Sequence, residues 1–271
     1  LSIPKIGILL PVVSMLTACS VRSYVPNIQS QIIVPIADAP PGLPTPTPLP
    51  ARKDYTTSPK NKVLNGAMIF DQNKEGGLYT TTADTEVYSL DQWRYAGAGQ
   101  LPGQAYGTGG IYTVQQSTDA PAGFQYSLEA TVLRTQDIVG PDDNFHIEYP
   151  IEGRYMADLG FGAAGAKTVT VSFWVSASVA GEKPFAIMNG QNGRSYVSSY
   201  IVSSPNTWQK HSITIPGDVS GAWVAGDDFG MKLLWNLGRV GQNEANIPSQ
   251  VETWLPYAAW CKSNTDQFIQ Q

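Results

Sequence analysis

From residue 61 onward the chain alternates apolar and polar side chains over short runs that end in Gly, Pro, Asn or Asp. That is the period of two required of a half-buried strand. The run at 168–178 is the cleanest: Val169, Val171, Phe173 and Val175 fall on one face, and Thr168, Thr170, Ser172, Trp174 and Ser176 on the other. The same split recurs at 124–133, where Phe124, Tyr126, Leu128, Ala130 and Val132 oppose Gln125, Ser127, Glu129 and Thr131. Further strands are predicted at 63–70, 110–116, 144–152, 185–189, 195–202, 208–215 and 229–237. Alternation lapses within 151–159, where a short helical turn is expected. Short strands with one apolar face each, and no long helix, predict an all-β fold of two packed antiparallel sheets, a jelly-roll or β-sandwich domain.

The first sixty residues follow a different pattern. The stretch 6–18 is almost wholly apolar, with Lys5 before it and Cys19 after it, and Leu16-Thr17-Ala18-Cys19 resembles a bacterial lipoprotein box. That reads as a secretion signal with lipid on Cys19. Against it, Pro4 and Pro11 interrupt the helix such a signal forms. The apolar run is also shorter than the roughly 20 residues that cross a bilayer, so no membrane span is expected. Pro26, Pro35, Pro40, Pro41, Pro44, Pro46, Pro48 and Pro50 follow, a sequence for extended polyproline-like backbone. The division read from this is an extended Pro-rich N-terminal arm over 1–60 and a β domain over 61–271. The arm is expected to dock on a neighbouring subunit, with a segment such as 31–36 adding to a sheet edge. A chain beginning near Lys60 is then expected to fold by itself.

Composition narrows the partners. The 17 Lys and Arg against 22 Asp and Glu leave a net charge of −5, and charged residues are 14 % of the chain against about 25 % in an average soluble domain. A phosphate-reading surface needs clustered Lys and Arg, so no nucleic-acid partner is expected. Cys19 and Cys261 stand at opposite ends, and the fold does not depend on a disulfide framework.

Several segments carry a resemblance. They are Asn61-Lys62-Val63-Leu64-Asn65-Gly66-Ala67-Met68; Tyr88-Ser89-Leu90-Asp91-Gln92-Trp93; Ile151-Glu152-Gly153 with Ala157-Asp158-Leu159-Gly160-Phe161-Gly162; the run from Ala166 to Val175; and Asn206-Thr207-Trp208 with Thr214-Ile215-Pro216-Gly217-Asp218. In that order they resemble a jelly-roll domain of bacteriophage tail fibres and other virion appendages, itself similar to carbohydrate-binding modules. The resemblance implies a virion location, attachment rather than catalysis, anchoring to other virion proteins through residues 1–60, a homotrimer, and recognition of a host surface glycan. Domains of this kind continue past a segment like 263–268 into a last buried strand. Here that leaves two readings, a truncated chain or a sheet completed by a neighbour.

Candidate chemistry is sparse. No zinc-type spacing, Gly-x-Ser-x-Gly elbow or phosphate loop occurs, and no cofactor is expected. His146 and His211 are read as strand residues facing solvent or satisfied locally. Asp142-Asp143 and Asp227-Asp228 are acidic loop tips, read first as turns; Asp142 and Asp143 are weak calcium candidates. Paired acids also keep open a polysaccharide depolymerase, and Cys19 a bacterial surface lipoprotein with a glycan-binding module. Sugar rings stack an apolar C–H face on aromatics while their hydroxyls need amides and carboxylates. Trp174, on the polar face of its strand, and Trp223 and Trp254, in loop-like segments with Trp260, are therefore the glycan-binding candidates. Trp93, Trp208 and Trp235 are read as core residues. Phe173→Ala is expected to cost about 3–5 kcal/mol of stability. Trp174→Ala or Trp223→Ala is expected to weaken glycan binding by about 1–3 kcal/mol with little change in melting; thermal melts and binding titrations on the three variants check this.

Overall fold

The strand runs read from the sequence assemble into two antiparallel sheets packed face to face in a computed structural model. It describes residues 5–14 as backbone, and 61–81, 87–97, 109–136, 143, 145–238, 252–259, 261 and 269. In the first sheet the spatial order is β11 (Gln209–Ile215), β8 (Val169–Ala177), β1 (Lys5–Ser14), β6 (Ser127–Arg134), β5 (Ile111–Ser117) and β2 (Tyr79–Thr80). In the second it is β13 (Trp254–Leu255), β10 (Ser195–Val202), β9 (Gly181–Asn189), β12 (Phe229–Asn236), β7 (His146–Glu152), β4 (Arg94–Ala96) and β3 (Val87–Tyr88). The protein is an all-β sandwich. The helical turn expected within 151–159 is present as α1 (Gly153–Met156), continued by a 3₁₀ turn over Ala157–Leu159.

The period of two sorts side chains as expected on β8: Val169, Val171, Phe173 and Val175 are buried, while the alternate residues are half-exposed. On that outer face Thr170 and Thr214 join hydroxyls at 3.1 Å, and Ser172 and Ser212 at 2.8 Å, rungs between β8 and β11. The inner faces close on an aromatic seam. Phe173 stacks on Phe185 across the sheets with ring centroids 5.8 Å apart and meets Trp235 edge to face at 5.5 Å. Trp235 also packs on Trp93 at 5.6 Å. Trp93 and Trp235 are thus core, as expected. Trp208 is not: it is half-buried, and its Nε1 donates to Asp119 Oδ1 at 3.1 Å.

Two further differences have physical reasons. Residues 63–70 form a turn rather than a strand, because Asn65 claims the backbone. Its Nδ2 donates to the carbonyls of Phe70 (2.8 Å) and Asp91 (3.0 Å), its Oδ1 accepts from Phe70 N (3.1 Å), and Met68 is turned to φ 54. The start of the expected arm also differs. Lys5–Ser14 is a strand of the first sheet, antiparallel to β6 on one side and β8 on the other. A mostly aliphatic run suits a strand paired on both edges as well as it suits a signal segment. Pro11 falls where the register with β8 shifts, between Leu9 and Val12, a place where its missing N–H costs no ladder bond. Cys19, the segment 31–36, and residues 262–268 lie outside the described residues.

Removing residues 1–15 leaves the facing edges of β6 and β8 unpaired and is expected to lower the melting temperature by on the order of 5 °C or more, read by calorimetry. Asn65→Ala, which strands three backbone partners, is expected to cost about 1–3 kcal/mol in denaturant unfolding.

Candidate functional site

The tryptophans read as glycan candidates fall in two places. Trp223 and Trp254 come together edge to face, ring centroids 5.4 Å apart, and both pack on Phe161, at 4.8 and 5.8 Å. Their indole N–H groups are engaged inside the protein. Trp223 Nε1 donates to Asp218 Oδ2 at 3.2 Å, and Trp254 Nε1 to the Pro216 carbonyl at 2.8 Å. Arg194 closes the cluster with two bonds to Asp218, at 2.7 and 2.6 Å. Trp174 stands apart on β8, half-buried opposite Lys210. Trp260 and Asp142 lie outside the described residues. Asp143 is buried, its carboxylate accepting from Gln136 Nε2. Asp227 and Asp228 are exposed; the Asp228 carbonyl accepts from Gly153 N at 2.8 Å and pins the start of α1. Among the described residues no group of three or more His, Cys, Asp and Glu gathers as a metal site.

Sequence reasoning did not single out the outer face of the second sheet. Pairing places Arg94 of β4 beside Glu148 of β7, with His146 two residues along β7 and Lys232 of β12 opposite Pro150. All four are buried. Arg94 Nε donates to Glu148 Oε1 at 2.6 Å, Nη2 reaches the same oxygen, and His146 Nε2 lies 3.5 Å from Oε2. Further along this face Ala186, Met188, Val197 and Leu234 form an apolar patch against Leu255, Tyr257 and Ala259. The Ser195 hydroxyl fastens that cover, donating to the Tyr257 carbonyl at 2.6 Å and accepting from Ala259 N at 3.0 Å. His146 was therefore placed correctly on a strand, and of the two readings, facing solvent or satisfied locally, the second holds, since it lies against the buried Glu148 carboxylate. Burial pushes the Glu148 carboxyl up; His146, then Lys232 and Arg94, outweigh it and hold the group at about 2, below its ordinary 4.5. His211, among the rings of Phe173 and Tyr200, is held below its ordinary value by burial.

Next to this charged row lies an open pocket of about 280 Å³ lined by Asn73, Tyr88, Leu90, Asp91, Gln92, Pro150, Glu152 and Phe229. Its construction is local. Tyr88 ends β3, and residues 90–92 make the turn into β4, closed by Trp93 N donating to the Leu90 carbonyl at 2.9 Å, with Gln92 at φ 71. Phe229 sits opposite Glu152 at a register shift where β12 joins β7, a bulge that re-aims the side chain. Gly190 makes this approach possible: a Cβ there would lie 1.7 Å from the Phe229 carbonyl oxygen. The Arg94 guanidinium lies over both aromatic rings, 4.8 Å from the centroid of Phe229 and 5.8 Å from that of Tyr88.

The fold and these features define an all-β sandwich with a buried ionic row on one outer face and an aromatic pocket at its edge. No protein-family model matches the chain, and no curated protein matches it. Among the described residues, no helix is long and apolar enough to cross a membrane.

Because the folded value of Glu148 lies below the unfolded one, its stabilisation is complete above about pH 4.5 and is lost as pH falls toward about 2. Melting curves between pH 2 and 6 should show this acid loss, and Glu148→Gln should flatten it. At pH 7 that variant is expected to cost about 3–5 kcal/mol, since it leaves Arg94 buried without its counter-charge.

Proposed function

We propose that this protein is a bacteriophage virion structural and attachment protein, a tail-fibre, head-fibre or decoration subunit that presents a saccharide-binding β-sandwich. The stretch between the first strand, Lys5–Ser14, and residue 60 faces other virion proteins, and the assembly is a homotrimer. The observation that carries this reading is the way distant segments of the virion-type resemblance meet. Trp93 Nε1 donates to the Asn65 carbonyl at 3.0 Å, and Asn65 Nδ2 returns a bond to the Asp91 carbonyl at 3.0 Å, tying 88–93 to 61–68. Gly162 N donates to the Asp218 carbonyl at 2.7 Å, tying 157–162 to 214–218. Segments read as a motif set therefore act as paired joints of one sandwich. The low charge content and net charge of −5 suit a saccharide or protein partner better than a nucleic acid.

The chain is expected to appear in mass spectra of purified virions and to sediment as a trimer. Recovery of a lipid-modified Cys19 peptide from host membranes, with none in particles, would replace this reading with a surface lipoprotein. Release of new reducing ends from host polysaccharide would replace it with a depolymerase.

A further inference from the structure

We infer that the pocket between Tyr88 and Phe229 holds one sugar unit of the ligand, and that the unit is neutral; this rests on the attachment reading above. The segment 88–93 belongs to the resemblance set, and Trp93 and Asn65 explain its role as a joint. They leave the side chains of Tyr88, Asp91 and Gln92 unexplained. Those three line one pocket together with Phe229 and Glu152.

The chemistry fits a saccharide. Tyr88 is 42 % exposed, so part of its side chain is open to contact with the C–H groups of a sugar. The Arg94 guanidinium lies over both Tyr88 and Phe229 and is itself held by Glu148. Arg94 is thus a positioning residue for the two aromatics, and the rings lose little freedom when a ligand arrives. Polar groups surround them. Asn73 Nδ2 donates to the Tyr88 carbonyl at 3.1 Å, which keeps that amide at the rim, and the exposed Gln92 makes no side-chain hydrogen bond among the described residues. Amides and carboxylates beside an aromatic face supply the donors and acceptors that hydroxyls need. At about 280 Å³ the space lies near the lower end of small-molecule sites, roughly 300–1,000 Å³, which suits a ring-sized unit.

Charge selects among sugars. Asp91 and Glu152 both line the pocket. The partner of Asp91 Oδ2 is a neutral backbone amide, Gln72 N at 2.7 Å, and Glu152 is paired with the exposed Arg154. The buried cations beside the pocket, Arg94 and Lys232, both act on Glu148. A uronic or sialic acid would bring a carboxylate against Asp91 and Glu152 while, among the described residues, Arg94, Lys232 and Arg154 already face acids of their own, whereas a hexose or N-acetylhexosamine meets no such repulsion.

The test uses the full chain on an oligosaccharide array holding neutral hexose and N-acetylhexosamine chains beside uronate-containing and sialylated ones, with calorimetric titration of the hits. Wild type is expected to bind neutral chains. Tyr88→Ala should lose at least ten-fold in affinity, and Gln92→Ala at least three-fold, with melting held near wild type; Trp174→Ala, which the strand pattern alone expects to weaken binding, should on this reading bind as wild type. Should Tyr88→Ala fold poorly, Gln92→Ala and Tyr88→Leu carry the same comparison. Neutral-glycan binding unchanged in the pocket variants overturns the pocket and leaves the attachment reading standing. Binding confined to acidic glycans overturns the ligand class. No binding by wild type to any chain overturns both the pocket and the saccharide-binding reading.

Discussion

Contact between the inner faces of the sheets, concentrated where Phe173, Phe185, Trp93 and Trp235 meet, is the constraint on which the rest of the structure depends. Each ring comes from a different part of the chain, and each is fully buried. Aromatic rings bury large areas and interlock at preferred angles, so this seam sets both the spacing of the sheets and their lateral register. Trp93 also reaches outward from it. Its N–H holds the Asn65 turn, and the residues just before it shape the pocket. The position of Tyr88 and Gln92 is therefore inherited from core packing five residues or fewer away.

The second sheet carries an unusual load because its central strands β7 and β12 are covered on both faces. β12 has all but its first residue buried, and β7 all but its last. Ordinarily a strand with a dry outer face replaces polar residues by aliphatic ones. This sheet instead divides its outer face, with an aliphatic patch at β9 and β10 and an ionic row at β4, β7 and β12. A buried ion pair seldom adds much stability over an apolar substitute, but it tolerates little displacement. Holding Arg94 in one place suits a site in which that guanidinium backs two aromatic rings.

Legibility in the sequence followed physical cause. Alternation around Phe173 and Val175 identified β8 and its buried face, because a period of two needs no tertiary information. The helical turn after Ile151 was legible for the complementary reason, that alternation stops. Residues 63–70 misled, since Leu64 and Phe70 look like strand positions until the Asn65 side chain is seen bonding the backbone on both sides. Lys5–Ser14 was ambiguous in principle: a mostly aliphatic run suits a signal segment and a doubly paired strand alike, and only the neighbours β6 and β8 distinguish them.

The sequence by itself determined the all-β class, most of the strands and which of their side chains face inward, because these depend on local periodicity. It also determined the shortage of clustered positive charge. Tertiary structure alone decided that Arg94, Glu148 and Lys232, up to 138 residues apart, share one buried face, and that Tyr88, Asn73 and Phe229 line one pocket. Contacts between strands distant in the chain arise from sheet order and register, and neither is written in the spacing of residues along a single strand.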